Sequence, residues 1–443
     1  MEKRPYIVRL IGMIALSVLL TGCGGWLGGE TDIKLEGKRI NVLRGSSNLQ
    51  ADARISDLDV ILPRPEVNRE WPQSGGYPNH AMHHLAVSGP LTKIWKIDIG
   101  KGSNDEAQLL SEPIIAGNIV YTLDTQAEIS AIDARSGNRL WQVELSKDDD
   151  NEGILGGGLA FEGGRLFATT GFAEIIALDA KSGREIWRKR LNAPIRAAPT
   201  VWAGRVFVVT TNNELHALAA ADGREFWTHS GLSEVAGLVG GAPPAVDAGV
   251  VVVPYSSGEV AALRVENGRQ VWIETLTALQ RSDAVTAMSH IRGRPVIDRG
   301  IVYVVGNGNR TVAVDLRTGT RLWEVRSGGR NGAWVAGNFI YIVTRDAELV
   351  CLTRQGGRVR WISQLPRYDN EEDQEDAILW SGPVLAGDRI LIGNTQEEIW
   401  SLSPYNGKFL GRIAVSGPIL IAPVVARETV YVLTDEAELI AFR

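Results

Sequence analysis

Apolar and polar positions alternate over short stretches from about residue 85 to residue 443, interrupted every few residues by turns rich in Gly and Asn. A period of two bounded by turn residues predicts strands joined by hairpins. Residues 198–228 show the grammar. There 198–202 reads as a strand A, Gly204 turns the chain, 205–210 is strand B, Asn212 and Asn213 turn it again, 214–219 is C and 224–228 is D. The same order fits repeats beginning near residues 112, 158, 199, 243, 295, 333, 382 and 418, which makes eight.

One phrase marks each repeat. Trp follows a turn glycine by four positions at Gly137/Trp141, Gly183/Trp187, Gly223/Trp227, Gly268/Trp272, Gly319/Trp323 and Gly357/Trp361, while Gly407 is followed by Leu410 and Gly411. Repeats of this length imply a propeller, solenoid or array, and the hairpin within the phrase selects strands over helix pairs. The last repeat ends at residues 441–443, after strand C. The missing D lies at the other end, where residues 90–98 carry Trp95 and no A, B or C precedes them. Pairing that N-terminal strand (about 91–98) with the C-terminal blade removes both open edges. The expectation is an all-β, eight-bladed β-propeller of four-stranded antiparallel blades. Trp95, Trp141, Trp187, Trp227, Trp272, Trp323 and Trp361 then read as blade-docking side chains, each plugging the gap between adjacent sheets with its N–H on a nearby carbonyl.

Composition adds two exclusions. The formal charge is −6. The leader's Lys3, Arg4, Arg9 and Glu2 contribute a net +2, so the mature chain is near −8 and offers no electrostatic footprint for nucleic acid. Two cysteines, Cys23 and Cys351, imply no disulfide framework. Cys351 falls where other repeats have Ala177, Ala217 or Ala313 and reads as a small buried thiol.

Residues 1–22 combine a basic start with an apolar run from Leu10 to Leu20, the pattern of a signal peptide and short for a membrane span. The sequence Leu20-Thr21-Gly22-Cys23 resembles a bacterial lipobox, which makes Cys23 the acylated first residue and a lipid anchor. Gly24, where retained lipoproteins have Asp, implies the outer membrane with the protein facing the periplasm. Residues 23–84 form a lipid-anchored linker and N-terminal arm: a Gly-rich, charged tether at first, then an aromatic segment from Asn68 to His84 that packs on the propeller of 85–443. His80, His83 and His84 lack the company of Cys or spaced carboxylates and read as surface histidines.

In a propeller the B–C turns and the D–A links between blades share one face. The long irregular segments 146–157, 229–242, 276–294 and 364–381 are all D–A links, so function is expected there. The acidic stretches 148–152 and 369–376 lack EF-hand spacing and read as solvated loops. Glu opens most C strands, and Arg310 breaks that series. Residues 235–241 are apolar and Gly-rich, suited either to partner contact or to a strand A extended into the channel. No nucleophile elbow, phosphate loop, zinc spacing or catalytic His–carboxylate pair is apparent.

The repeat phrase, the lipobox and the eight-blade count together resemble the BamB family, β-propeller lipoproteins of the outer-membrane β-barrel assembly machinery. The resemblance covers about residues 85–443 plus Cys23, and its phrase is shared with pyrroloquinoline-quinone-type propellers. It implies a non-enzymatic scaffold without cofactor or metal, a single propeller within a hetero-oligomer. Its partners would be the POTRA domains of a BamA-like outer-membrane protein and other assembly subunits. In that family two neighbouring D–A loops make the contact. Ungapped counting places them here at Ala236, Leu238 and Val239, and at His290 and Arg292, with only Leu238 matching the family in kind. The alternatives are a propeller binding another envelope protein or a polysaccharide, and a quinone-dependent dehydrogenase.

Overall fold

Each of blades 1–7 is built from one repeat, because that repeat supplies three tight turns and four strands with a buried period-two face. The computed structural model describes residues 49–145, 156–195, 197–232, 240–276 and 290–443. Leu238, Val239, Ala236 and Cys23 lie outside them, as do most of 146–157 and 277–289. Eight four-stranded antiparallel sheets are present. In blade 3 the strands are Thr200–Trp202, Arg205–Val209, Glu214–Ala219 and Glu225–Ser230. Blade 8 is composite: Lys93–Asp98 pairs antiparallel with Glu438–Phe442, placing Trp95 opposite Ala441 and Asp98 opposite Glu438.

Within a blade the Trp of strand D has a fixed neighbourhood. In blade 3, Phe207 of strand B, Ala217 of C and Trp227 of D form one cross-strand row. The small middle residue lets the two rings approach to a 6.0 Å centroid distance. Tyr121–Ala131–Trp141 and Tyr341–Cys351–Trp361 repeat the row. Cys351 thus fills the small-residue slot, where burial pushes its thiol above the usual range. A register shift in strand D just before Trp227 turns Phe226 outward, so the apolar pair Phe-Trp does not bury both members.

Between blades the Gly and the Trp of the phrase meet. Trp227 Nε1 donates to the Val265 carbonyl of blade 4 at 3.1 Å, and its ring lies against Gly268, where an added Cβ would stand 2.6 Å from Cε3. Trp272 donates to Leu316 at 2.7 Å, and Trp323 to Arg354 at 2.8 Å. Trp95 carries the contact across the closure, to Ala134 at 3.2 Å and onto Gly137. Trp141 differs: its Nε1 has no partner, and Tyr121 Oη donates to the Ala180 carbonyl instead, at 3.0 Å. Blade 7 lacks the Trp where blade 8 lacks the receiving turn; there Thr92 and Arg443 exchange backbone hydrogen bonds.

The arm corrects two sequence expectations. Residues 49–67, read as tether, pack on the body: Asp52 N–H donates to the Val359 carbonyl and Arg360 Nε to the Leu58 carbonyl, while Glu66 N–H donates to the His84 carbonyl within the arm. His80 and His84, read as surface histidines, are 5% and 2% exposed. His80 Nδ1 is 2.7 Å from the Pro295 carbonyl and His84 Nδ1 2.8 Å from that of Pro63, so buried backbone acceptors hold both rings. The acidic stretch 369–376 also departs from a plain loop, because Tyr368–Asn370 and Glu375–Ala377 pair as a small hairpin.

Candidate functional site

The innermost strand A of each blade leaves one row of backbone groups facing the channel, and such groups need partners. The arm supplies them in turn. Trp71 exchanges two 2.8 Å bonds with Ile115 of blade 1, and the Pro72 carbonyl takes Phe161 N–H of blade 2 at 2.7 Å. Gln73 Oε1 takes Val201 N–H of blade 3 at 2.9 Å. The Pro78 and Asn79 carbonyls take Val246 and Ile297 N–H of blades 4 and 5 at 2.7 and 2.8 Å. The His83 carbonyl takes Trp334 Nε1 of blade 6 at 2.6 Å. Leu85 pairs with Leu385 and Gly387 of blade 7, and Asn68 with Val425 and Arg427 of blade 8. Eighteen residues, 68–85, therefore touch all eight inner strands.

Above this floor the D–A links from every blade junction converge on a cavity of about 190 Å³. The arm contributes Ser74, Gly75 and His80 to its lining; the links contribute Arg292 and Arg294 between blades 4 and 5, and Arg330 between blades 5 and 6. Glu112 is the only acidic residue among the described residues of the lining. It is already engaged, by an ion pair with Arg294 and by Gly75 N–H at 2.9 Å. Arg292 and Arg330 have no hydrogen bond or ion pair among the described residues. Burial, with Arg330 close by, lowers Arg292 to about 10. Burial and then Arg345 lower Arg330, whose side chain still meets solvent. His80 falls to about 3 through burial and the Arg294 charge, so it is neutral, and with Nδ1–H donated to Pro295 its Nε2 holds a free lone pair without a partner.

Such a lining suits an anion. It does not suit a cation: calcium takes six to eight oxygen ligands, and the single carboxylate here is tied to an arginine. Among the described residues no group of three or more His, Cys, Asp or Glu is disposed to hold a metal ion.

Of the partner residues expected from sequence, Arg292 lines the cavity, whereas His290 is buried in the same link and is not part of the lining. Arg294, Arg330 and Glu112 were not anticipated. Their signal was weak: an Arg-x-Arg and a Gly-Gly-Arg-Asn in two links, with nothing local to show that both face one axis.

The B–C turn side of the same face carries a second regularity. In blades 2, 7 and 8 the Glu opening strand C pairs with the residue after the Trp position on strand D: Glu174 with Arg188, Glu398 with Arg412 at 2.9 Å, Glu438 with Lys96 at 2.5 Å. In blade 5 the polarity is exchanged, Arg310 facing Glu324 at 3.2 Å, so the residue that breaks the Glu series keeps the pair.

A family model described as outer membrane protein assembly factor BamB matches residues 125–363 and 366–443. The BamB of Salmonella typhimurium is 30% identical over 146 residues, 32% of this chain and 34% of that protein. The chain therefore spans about a third of the length of the curated relatives it matches. Among solved structures, BamB from Moraxella catarrhalis superposes with a TM-score of 0.67 at 18% identity, over 80% of this chain and all of that one. A europium-containing methanol dehydrogenase superposes at 0.65 and 14% identity, over 82% of this chain and 89% of that one. At these identities the structural likenesses establish the propeller alone.

Proposed function

The chain belongs to the outer membrane protein assembly factor BamB family, and from that membership we propose that it is a non-enzymatic scaffold of an outer-membrane β-barrel assembly machinery. In this reading it is anchored to the outer membrane through acylated Cys23 after removal of residues 1–22. Its propeller faces the periplasm and binds the POTRA domains of a BamA-like protein through the D–A face, assisting insertion of outer-membrane proteins. The observation that carries the reading is the family match, over residues 125–363 and 366–443, which takes in the C strand of all eight blades. The convergence of all D–A links on one face supports the choice of surface.

Leu238, Val239, His290 and Arg292 are the contact residues this reading assigns. Affinity isolation of the detergent-solubilised lipoprotein tests it. Recovery of a BamA-like protein is expected, and recovery of no barrel-assembly component would overturn the assignment. Leu238→Arg should weaken that capture at least tenfold without changing the melting temperature.

A quinone-dependent dehydrogenase remains the second reading, because such enzymes share the fold. Addition of pyrroloquinoline quinone and calcium to the purified protein should give no dye reduction.

A further inference from the structure

We propose that the central cavity is a carboxylate-binding site, in which Arg292 and Arg330 hold the two oxygens of the ligand. The cavity brings three arginines against one carboxylate, and that carboxylate is consumed by Arg294 and Gly75. Arg292 and Arg330 line the cavity from neighbouring links without a partner among the described residues, and the Arg330 charge is near enough to lower Arg292. Arg292 is half-buried and Arg330 reaches solvent, so an anion joining them offsets the like charge that the half-buried guanidinium feels. The formal charge of the whole chain is −6, so this is a local inversion of sign rather than part of a basic surface.

Shape and hydrogen bonding point to the same class of ligand. The planar fork of Arg matches a carboxylate with two parallel N–H···O bonds, and the match is worth more in a cavity than on an open face. The floor is not inert, since His80 is 5% exposed, lines the cavity and has an unpartnered Nε2 lone pair. It can accept from a hydroxyl or an ordered water beside the carboxylate. The floor is held by the arm's bonds to eight strands, so the site is formed before a ligand arrives.

The carboxylate can come free, as a small dicarboxylate, or be presented on the acidic side chains of a peptide. The inference does not rest on the barrel-assembly reading, because the charge deficit exists whichever protein docks on the D–A face. Calorimetric titration of the full-length lipoprotein in detergent with succinate, and separately with an acetylated tetraglutamate peptide, distinguishes the sources. Succinate binding identifies a free ligand, and peptide binding without succinate binding a presented one. In either case Arg292→Gln combined with Arg330→Gln should weaken binding by a hundredfold or more. Arg184→Gln with Arg317→Gln, an equal charge loss in exposed C–D turns on the opposite face, should change it less than twofold. Absence of binding by both probes overturns the proposal, as does equal weakening in the two double variants. Removal of the cavity charges should raise the melting temperature, which shows that lost binding is not lost folding.

Discussion

Trp272 and Trp141 occupy equivalent positions in blades 4 and 1, yet only the first uses its indole N–H between blades. Trp272→Ala removes a buried aromatic and should destabilise by about 3–5 kcal/mol in denaturant titration. Trp272→Phe should cost about 1 kcal/mol more than Trp141→Phe, the net value of one hydrogen bond, since Tyr121 already serves the Ala180 carbonyl. Equal costs would show that the indole N–H contributes nothing. His80 carries a pH dependence. Its value is about 3 in the folded chain against 6.5 unfolded, through burial and the nearby Arg294, itself paired with Glu112. The unfolded chain then binds the extra proton, so the contribution is complete above about pH 6.5 and is lost as pH falls from there towards 3. Between pH 6.5 and 5 that is about 2 kcal/mol. His80→Asn, which tolerates the left-handed φ of 60° found there, should flatten the melting temperature over that interval.

At the level of the element, the Gly of the repeat phrase has two duties that its sequence does not separate. Gly268 turns between strands C and D with φ +71°, and it receives the Trp227 ring of the preceding blade at a distance that excludes a side chain. Gly204, in an A–B turn with φ +73°, has nothing within 4 Å of an added Cβ. Gly204→Ala should therefore cost about 1 kcal/mol for the backbone conformation alone. Gly268→Ala adds overpacking and should cost about 1–3 kcal/mol beyond that. Similar losses at the two positions would remove the glycine from the docking contact. Alternation and turn spacing made the strands, the turn glycines and the closing pair legible. The receiving role of the glycine was not legible, because its contact comes from a residue about 40 positions earlier in the chain.

For the whole molecule, the arm is the unforeseen part. It reads as a tether followed by a packed aromatic segment, and it turns out to bond to every inner strand. Trp71 is 1% exposed and stacks on Trp334 at 6.4 Å, so Trp71→Ala should release the arm before it releases the blades. Hydrogen exchange checks this. The amides of Phe161, Val246 and Ile297, which donate to arm carbonyls, should lose protection in the variant, while those inside the B–C ladders keep it. Uniform loss across both sets would mean that arm and ring unfold as one unit.

The amino-acid order by itself determined the blade count, the pairing of the first strand with the last blade, and the propeller repeat that the chain shares with its family. Each of these is written in contacts between residues close in the chain, or in a unit complete at one end and incomplete at the other. Only the tertiary structure decided that Arg292, Arg294 and Arg330 share a cavity with Glu112 and His80. Period two records which face of a strand is buried and says nothing about the axis on which eight links meet. Nor could it show what would close the channel, since unpaired backbone groups accept any extended chain of suitable length, and here that chain is residues 68–85.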